Sequence, residues 1–317
     1  MTGPTKWVAV SGLISAASAV VAVSTLLGFA GRFWWGFDLF SHFRVQYLAS
    51  LCLAAVALWV LKERRAAGFA AVFAAVNLLC IAWYLAPDLR ILKPIGPRVR
   101  IASINVLTSN TQTDAVLRFI KETEPDVVFV MEVDDHWVEQ LATLHSLYPH
   151  RQIAAEGGNF CAALLSKLPL AAVEVLYLGP AGVPSITAEI EVEDKRLTLL
   201  GTHPLPPTGR ENTRMRDEQL DAVAEFIAGV EGPKVLIGDL NTTPWSHSFH
   251  RLVKHSDLFD TARGSLPVGT WPTNSFLLRI PIDHCLVSSE IKVERRQVGP
   301  RIGSDHFPLT VDLQIPP

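Results

Sequence analysis

An α+β domain, two sheets packed together with helices outside, preceded by three transmembrane helices, is the architecture the sequence predicts. Three observations predict it. The 317 residues are 49% hydrophobic and 19% charged, with a mean hydropathy of +0.26, whereas soluble domains carry about 25% charged residues. The apolar excess sits in three uncharged stretches near the start, Trp7–Gly31, Val45–Leu61 and Ala66–Pro87. Beyond Arg98, strand-like runs follow one another without intervening helices, which favours segregated sheets over a doubly wound one. A wholly soluble protein, a disordered chain and a disulfide scaffold are excluded.

The three stretches hold 25, 17 and 22 residues. A hydrocarbon core about 30 Å thick needs roughly 20 helical residues, with 17 near the lower limit. The first is longer than the apolar part of a cleaved signal peptide and two further spans follow it, so it reads as a retained anchor. The loop Lys62-Glu63-Arg64-Arg65 is the densest basic cluster beside any span and is expected in the cytoplasm, as is Lys6. The loop from Arg32 to Arg44 then lies outside, with Trp34 and Trp35 suited to the interface, as are Trp83 and Tyr84. Three spans starting inside deliver everything after Pro87 to the extracytoplasmic side of a cell membrane.

Charge follows the same division. Residues 1–86 carry six Lys or Arg against Asp38 and Glu63, a net of +4, which leaves −7 for residues 87–317. The expected organisation is an anchor over 1–86, a linker over 87–97 stiffened by three prolines, and a catalytic domain over 98–317.

Within that domain Val99–Val106 is a β-rich run, and Val116, Phe119 and Ile120 give helical spacing. Asp126–Val133 is a second apolar run, and Trp137, Leu141, Leu144 and Tyr148 mark another helix. Strands are expected at Asn159–Ser166, Ala172–Leu178, Ile186–Val192 and Leu197–Thr202. Leu220, Val223, Ala224 and Ile227 place a helix in Glu211–Val230. Lys234–Gly238, Ile282–Ser288 and Leu309–Leu313 supply further strands. Cys161 and Cys285 sit in apolar runs, where a free thiol packs as a small hydrophobe; the sequence leaves open whether they pair.

Polar residues fall at the ends of these strands: Asn105, Glu132, His203, Asp239 with Asn241, and Asp283, with Asp305-His306 just before the last strand. Acids and imidazoles gathered at sheet rims suit a hard cation and acid–base chemistry. Mg²⁺ takes few protein carboxylates and keeps several waters, and a His beside an Asp exchanges a proton near neutral pH. His284 follows Asp283 on a strand, so it faces the other way and reads as structural.

Gly-Asp-Leu-Asn at 238–241, Ile-Asp-His at 282–284 and Gly-Ser-Asp-His-Phe-Pro-Leu at 303–309 resemble the endonuclease/exonuclease/phosphatase superfamily, over roughly residues 98–315. The resemblance implies a DNase I-like four-layer α/β/β/α sandwich and a metal-dependent phosphoesterase. Carried onto this chain, it makes Glu132 the main Mg²⁺ ligand (Mn²⁺ as the alternative ion), with Asn105 beside it and Asp305 close by. Asp239 orients or deprotonates the attacking water, and Asn241 holds a phosphate oxygen. His306 contacts the phosphate with Asp283 fixing its ring, and His203 stabilises phosphoryl charge or protonates the leaving group. Two departures are visible. Met131 stands where the family often has Gln, and Leu107 where an acid is common, so one ion is expected.

Arg210, Arg214 and Arg216 could grip a phosphate, though a solvated helix face is the stronger reading. Trp245, Trp271 and Phe276-Leu277-Leu278 lie beside the motif loops, where they line either a lipid-accepting rim or the core. A domain at −7 without a basic run is poorly suited to a long duplex, and tethering favours a substrate at the membrane surface. The layout is similar to the membrane-anchored bacterial branch that includes VanJ. The leading expectation is therefore hydrolysis of a lipid-linked phosphate or pyrophosphate outside the cytoplasmic membrane, with the bilayer as partner and no obligate protein partner. A surface-tethered nuclease and an inert binding module are the alternatives.

Overall fold

The structure, a computed structural model, describes residues 4–86, 96–154 and 160–317. The expected linker lies almost wholly outside the described residues, as does Asn159. Two compact units divide the chain: Met1–Pro87 with Pro244–His247, and Asp88–Thr243 with Ser248–Pro317.

In the first unit the apolar runs fold as α1 (Pro4–Leu27), a single turn α2 (Trp35–Asp38), α3 (Arg44–Val60) and α4 (Arg64–Leu85). Three stretches, Ala9–Ala30, Trp35–Val60 and Arg64–Ala82, are long and apolar enough to cross a membrane. Their surfaces are the reverse of a soluble bundle: Leu13, Leu53 and Leu79 are each more than 70% exposed. Where helices meet, small residues let them approach, as Leu51 packs on Ala70 and Ala74. A polar cluster ties the three together. Buried Arg44 donates through Nη1 to the Thr25 carbonyl at 2.9 Å and to Asn77 Oδ1 at 3.3 Å. Asn77 Nδ2 donates to Thr25 Oγ1 at 2.9 Å.

The second unit begins with β1 (Arg98–Asn105), α5 (Thr113–Thr123), β2 (Val127–Met131), α6 (Asp135–Ala142), β3 (His150–Ala154) and β4 (Ala162–Ser166). It continues with β5 (Leu170–Tyr177), β6 (Pro184–Val192), β7 (Lys195–Gly201), α7 (Arg210–Ala228) and β8 (Lys234–Asp239). It ends with α8 (His247–Ser256), β9 (Phe259–Asp260), β10 (Asp283–Val287), β11 (Lys292–Val298) and β12 (Leu309–Gln314). The strands form two six-stranded sheets, ordered β11-β12-β1-β2-β4-β3 and β5-β6-β7-β8-β10-β9.

Alternation along the strands builds the layers. Ile101, Phe129 and Met131 face Leu199, Val235 and Ile237 in the core between the sheets. The intervening Ala102, Ile104, Val128 and Val130 meet Phe119, Ile120, Trp137 and Leu141 of α5 and α6. On the other side Leu200, Leu236 and Leu286 meet Leu220, Val223, Phe249 and Leu252 of α7 and α8. The expected α/β/β/α sandwich is thus present. Central strands buried on both faces read as continuous apolar runs, which is why β2 is Val-Val-Phe-Val-Met.

Two glycines set how closely strands approach. A Cβ at Gly201 would strike the Phe129 ring, and one at Gly238 would strike the Thr202 carbonyl oxygen. Gly238 also has φ +147°, in the region that favours glycine.

The helical turn α2 stands in the expected Arg32–Arg44 loop, and in the second unit four elements differ from the sequence reading. Strands β3, β9 and β11 and helix α8 were not expected. The edge strand β11, Lys-Val-Glu-Arg-Arg-Gln-Val, is too charged to signal burial, and β9 is only two residues long. Helix α8 is rich in polar side chains but buries Phe249 and Leu252. Cys161 and Cys285 are both free and buried; burial pushes the Cys285 thiol up to about 12.

Candidate active site

Strand register brings six chain segments to one rim. β1 and β2 run parallel with Asn105 opposite Met131, so Asn105 and Glu132 emerge side by side. β7 and β8 run parallel with Gly201 opposite Ile237, which delivers His203 and Asp239 together. β10 is antiparallel to β8 with Asp283 opposite Asp239, so the start of β10 meets the end of β8. β12 is antiparallel to β1 with Leu309 opposite Ser103, and that brings in Asp305 and His306.

Asp239 occupies the centre and is 1% exposed. Its Oδ2 lies 3.5 Å from Nε2 of His203 and 3.5 Å from Nε2 of His306. Its Oδ1 accepts from the Asn241 backbone N–H at 2.9 Å, and its own N–H donates to Met131 Sδ at 3.2 Å. Met131 thus supports Asp239 directly. Burial alone would push the Asp239 carboxyl up; the His306 charge and the His203 hydrogen bond outweigh it and hold the group below the usual carboxylate range.

His306 Nδ1 meets Asp283 Oδ2 at 3.0 Å, and the Thr270 hydroxyl accepts from the Asp283 N–H at 3.2 Å. Burial opposes protonation of His306, but the charges of Asp283 and Asp239 prevail and push it up to about 10. His306 is therefore a cation at neutral pH, held between two carboxylates. His203 is 3% exposed, and its Nδ1 has no partner among the described residues.

Glu132 has φ +61°, a left-handed conformation that a non-glycine residue holds only when its surroundings fix it. Asn105 Nδ2 donates to Glu132 Oε1 at 2.8 Å, and the Thr108 N–H to Oε2 at 3.3 Å. Asn105 Nδ2 also lies 3.5 Å from Asp239 Oδ2, which joins the two halves of the site. Asp305 Oδ2 accepts from Trp271 Nε1 at 2.8 Å, while its Oδ1 is buried and without a partner among the described residues.

The orphaned Asp305 oxygen and the Glu132 carboxylate are donors of the type a divalent cation prefers, while Asn105 Oδ1 already accepts from the Leu107 N–H at 3.0 Å. Asp239, Asp283 and His306 also lie within 4.8 Å of one another, close enough to share an ion. Within that second grouping the 3.0 Å hydrogen bond between His306 Nδ1 and Asp283 Oδ2 already accounts for the closeness of one pair.

Asn241 Nδ2 donates to the Pro204 carbonyl at 2.9 Å. The buried Arg216 holds the Asn241 carbonyl oxygen at 2.9 Å through Nη1, so of the three arginines after His203 it is Arg216 that reaches the motif. Arg214 is exposed and held by Glu211 and Glu218 at 2.6 Å each, on the helix face, and Arg210 is exposed at the start of α7. Trp245 is buried and belongs to the first unit, where its ring centroid lies 6.5 Å from that of Tyr84. None of these three is brought into the Asp239 cluster by a contact among the described residues. His284 is structural as expected: buried, it meets Asp260 Oδ2 at 3.2 Å and the Thr242 carbonyl at 2.9 Å. Thr108 and Thr270 support the site without a motif to announce them, and Trp271, expected at a rim or in the core, supports it through Asp305.

The fold and rim are those of a phosphoester-cleaving enzyme class. The chain belongs to the Endonuclease/Exonuclease/phosphatase family, whose profile matches residues 102–306. Members of this family are generally hydrolases of phosphate and phosphodiester bonds. No curated protein matches the sequence.

Among solved structures, a Bacteroides vulgatus endonuclease/exonuclease/phosphatase superposes with a TM-score of 0.58 at 18% identity, covering 69% of this chain and 99% of that one. The human Nocturnin catalytic domain with bound sulfate gives 0.57 at 18% identity, covering 71% and 97%. D. rerio TDP2 with a single-strand DNA product gives 0.54 at 16% identity, covering 68% and 98%. At such identities the likeness is one of fold.

Proposed function

We propose that the protein is a membrane-anchored, Mg²⁺-dependent phosphoesterase that hydrolyses a lipid-linked phosphate or pyrophosphate on the extracytoplasmic face. The observation that carries the chemistry is the buried Asp239 carboxylate with an imidazole on either side, each 3.5 Å from the same oxygen.

Asp239 is ionised and aimed by the Asn241 N–H, so it orients a water and takes its proton as the water attacks phosphorus. The His306 imidazolium, oriented by Asp283, faces the developing phosphoryl charge with a hydrogen-bond donor fixed in advance, which acts most strongly where water is excluded. His203 meets the same carboxylate oxygen through Nε2, and from that side its ring would donate to a phosphoryl or leaving oxygen. Glu132, Asn105 and Asp305 would hold the cation, which when bound neutralises phosphate charge as a Lewis acid.

The membrane substrate follows from the three spans and from the −7 charge of the remaining chain, which disfavours a polyanion. The branch of membrane-anchored bacterial members remains the reading of best fit. The test is a substrate panel on the full-length protein: polyprenyl pyrophosphate, phospholipids, inositol phosphates and DNA, each with Mg²⁺ and with EDTA. Phosphate release from the lipid pyrophosphate, abolished by EDTA, is expected. Efficient DNA cleavage without lipid turnover would overturn the substrate assignment, and full activity in EDTA the metal assignment.

A further inference from the structure

Among the described residues, the second unit exposes seven large hydrophobic side chains, and five of them lie in one loop between β9 and β10. They are Leu266, Val268, Phe276, Leu277 and Leu278, with Phe276 82% and Leu277 76% exposed. From Thr261 to Ile282 the sequence contains no acid and two arginines, Arg263 and Arg279, within a domain of net −7.

The base of the loop is built. Trp271 and Ile280 form an antiparallel bridge, and the Thr270 N–H donates to the Ile280 carbonyl at 2.9 Å. Arg279 donates to the carbonyls of Pro272 and Thr273 at 3.2 and 3.0 Å, with its guanidinium 4.7 Å from the Phe307 ring centroid. The apolar tip is therefore displayed on a hydrogen-bonded stem. That stem also carries Trp271, bonded to Asp305, and Thr270, bonded to the Asp283 N–H.

Contiguous exposed side chains of this size mark a surface that meets something other than water. The chain indicates the occupant, since three membrane-spanning stretches keep the domain permanently beside a bilayer. Apolar side chains flanked by cationic ones, without acids, suit the boundary between phosphate head groups and acyl chains. We propose that the tip of this loop, Leu266 to Leu278, seats in the head-group boundary of the bilayer that the spans cross, holding the Trp271–Asp305 side of the site at the lipid surface. The catalytic consequence rests on the membrane-substrate reading above; the docking does not.

The test uses full-length protein with Cys52 and Cys80 replaced by Ser, reconstituted in vesicles of phosphatidylcholine and phosphatidylglycerol. An environment-sensitive fluorophore is placed at Leu277→Cys and, as control, at Asp194→Cys on a turn whose side chain is 79% exposed. The probe at 277 should be blue-shifted and quenched by nitroxide-labelled lipid, and the probe at 194 should not. Equal exposure to water at both positions overturns the proposal. So does shielding at 277 that lipid nitroxide leaves unquenched and that grows with protein density, the sign of a second copy.

A Phe276→Ser/Leu277→Ser/Leu278→Ser variant supplies the second measurement. It should keep its turnover of soluble bis-p-nitrophenyl phosphate and lose roughly 10-fold or more in kcat/KM on lipid phosphate in vesicles, since most of the buried apolar area is gone. Equal loss on both substrates would place the loop's effect inside the site and overturn the docking role. If the unaltered protein turns over neither substrate, the hydrolase reading fails, and the quenching result alone decides the docking.

Discussion

Asp239 concentrates the chemistry because its surroundings leave it one use. A carboxylate 1% exposed stays ionised only when its neighbours compensate for lost hydration, and here two imidazoles and a backbone N–H do so. Asp239→Asn keeps the shape and removes the proton acceptor. Turnover of a soluble phosphodiester should fall by roughly 10²–10⁴-fold, with the circular dichroism melt little changed; a variant that retains full turnover would show that the water is activated elsewhere.

His306 gives a pH signature. Its pKa is raised in the folded protein, so folding favours the protonated ring, and the stabilisation is complete below the unfolded value of about 6.5. It is lost as pH climbs through the folded value of about 10. The melting-temperature deficit of His306→Gln relative to the unaltered protein should therefore be largest at the acidic end of that window and shrink toward its alkaline end; a constant deficit would refute the assignment. Asp239, Asp283 and His306 were legible because short motifs carry them. Trp271 stood out only as a residue beside the motif loops and Thr108 not at all, since each supports the site through a hydrogen bond to a residue more than 20 positions away.

At the scale of elements, hydrophobic pattern predicted what is buried. β2 and β8 read as apolar runs because both faces of a central strand are covered, while β12 alternates, with Thr310 and Asp312 only partly buried. β11 carries four charged residues in seven and pairs only along one edge, so composition hid it. The three helices long and apolar enough to cross a membrane were legible by length and composition, but not the polar cluster that joins them. Asn77 bridges α4 to α1 through Thr25 and accepts from Arg44 of α3. Asn77→Ala should weaken the helix bundle by about 1–2 kcal/mol, in keeping with interhelical hydrogen bonds in a membrane setting. Denaturation in mixed micelles would measure this, and no change would show that the cluster contributes only locally.

At the scale of the whole molecule, charge asymmetry sets the predicted direction of insertion. Lys62 lies in the short connection between α3 and α4, and Arg64 and Arg65 open α4; basic residues clustered beside a span's end stay in the cytoplasm. A periplasmic-type reporter fused after Pro317 should be active and a cytoplasmic-type reporter silent. The reverse result would turn the molecule over and move the substrate pool to the inner leaflet.

Sequence by itself determined the division between anchor and domain, because a span is recognised by local composition and length. It also determined the family, because six motif fragments keep their order along the chain. Only the tertiary structure decided which polar residues meet. Asn105, Glu132, His203, Asp239, Asp283 and His306 are up to 201 positions apart, and parallel and antiparallel registers bring them to one rim. Among the described residues, the same registers leave Arg210 and Arg214 without a contact to that cluster. Packing among the described residues also leaves Phe276, Leu277 and Leu278 uncovered, since burial depends on what else the chain packs against a segment and not on the segment itself.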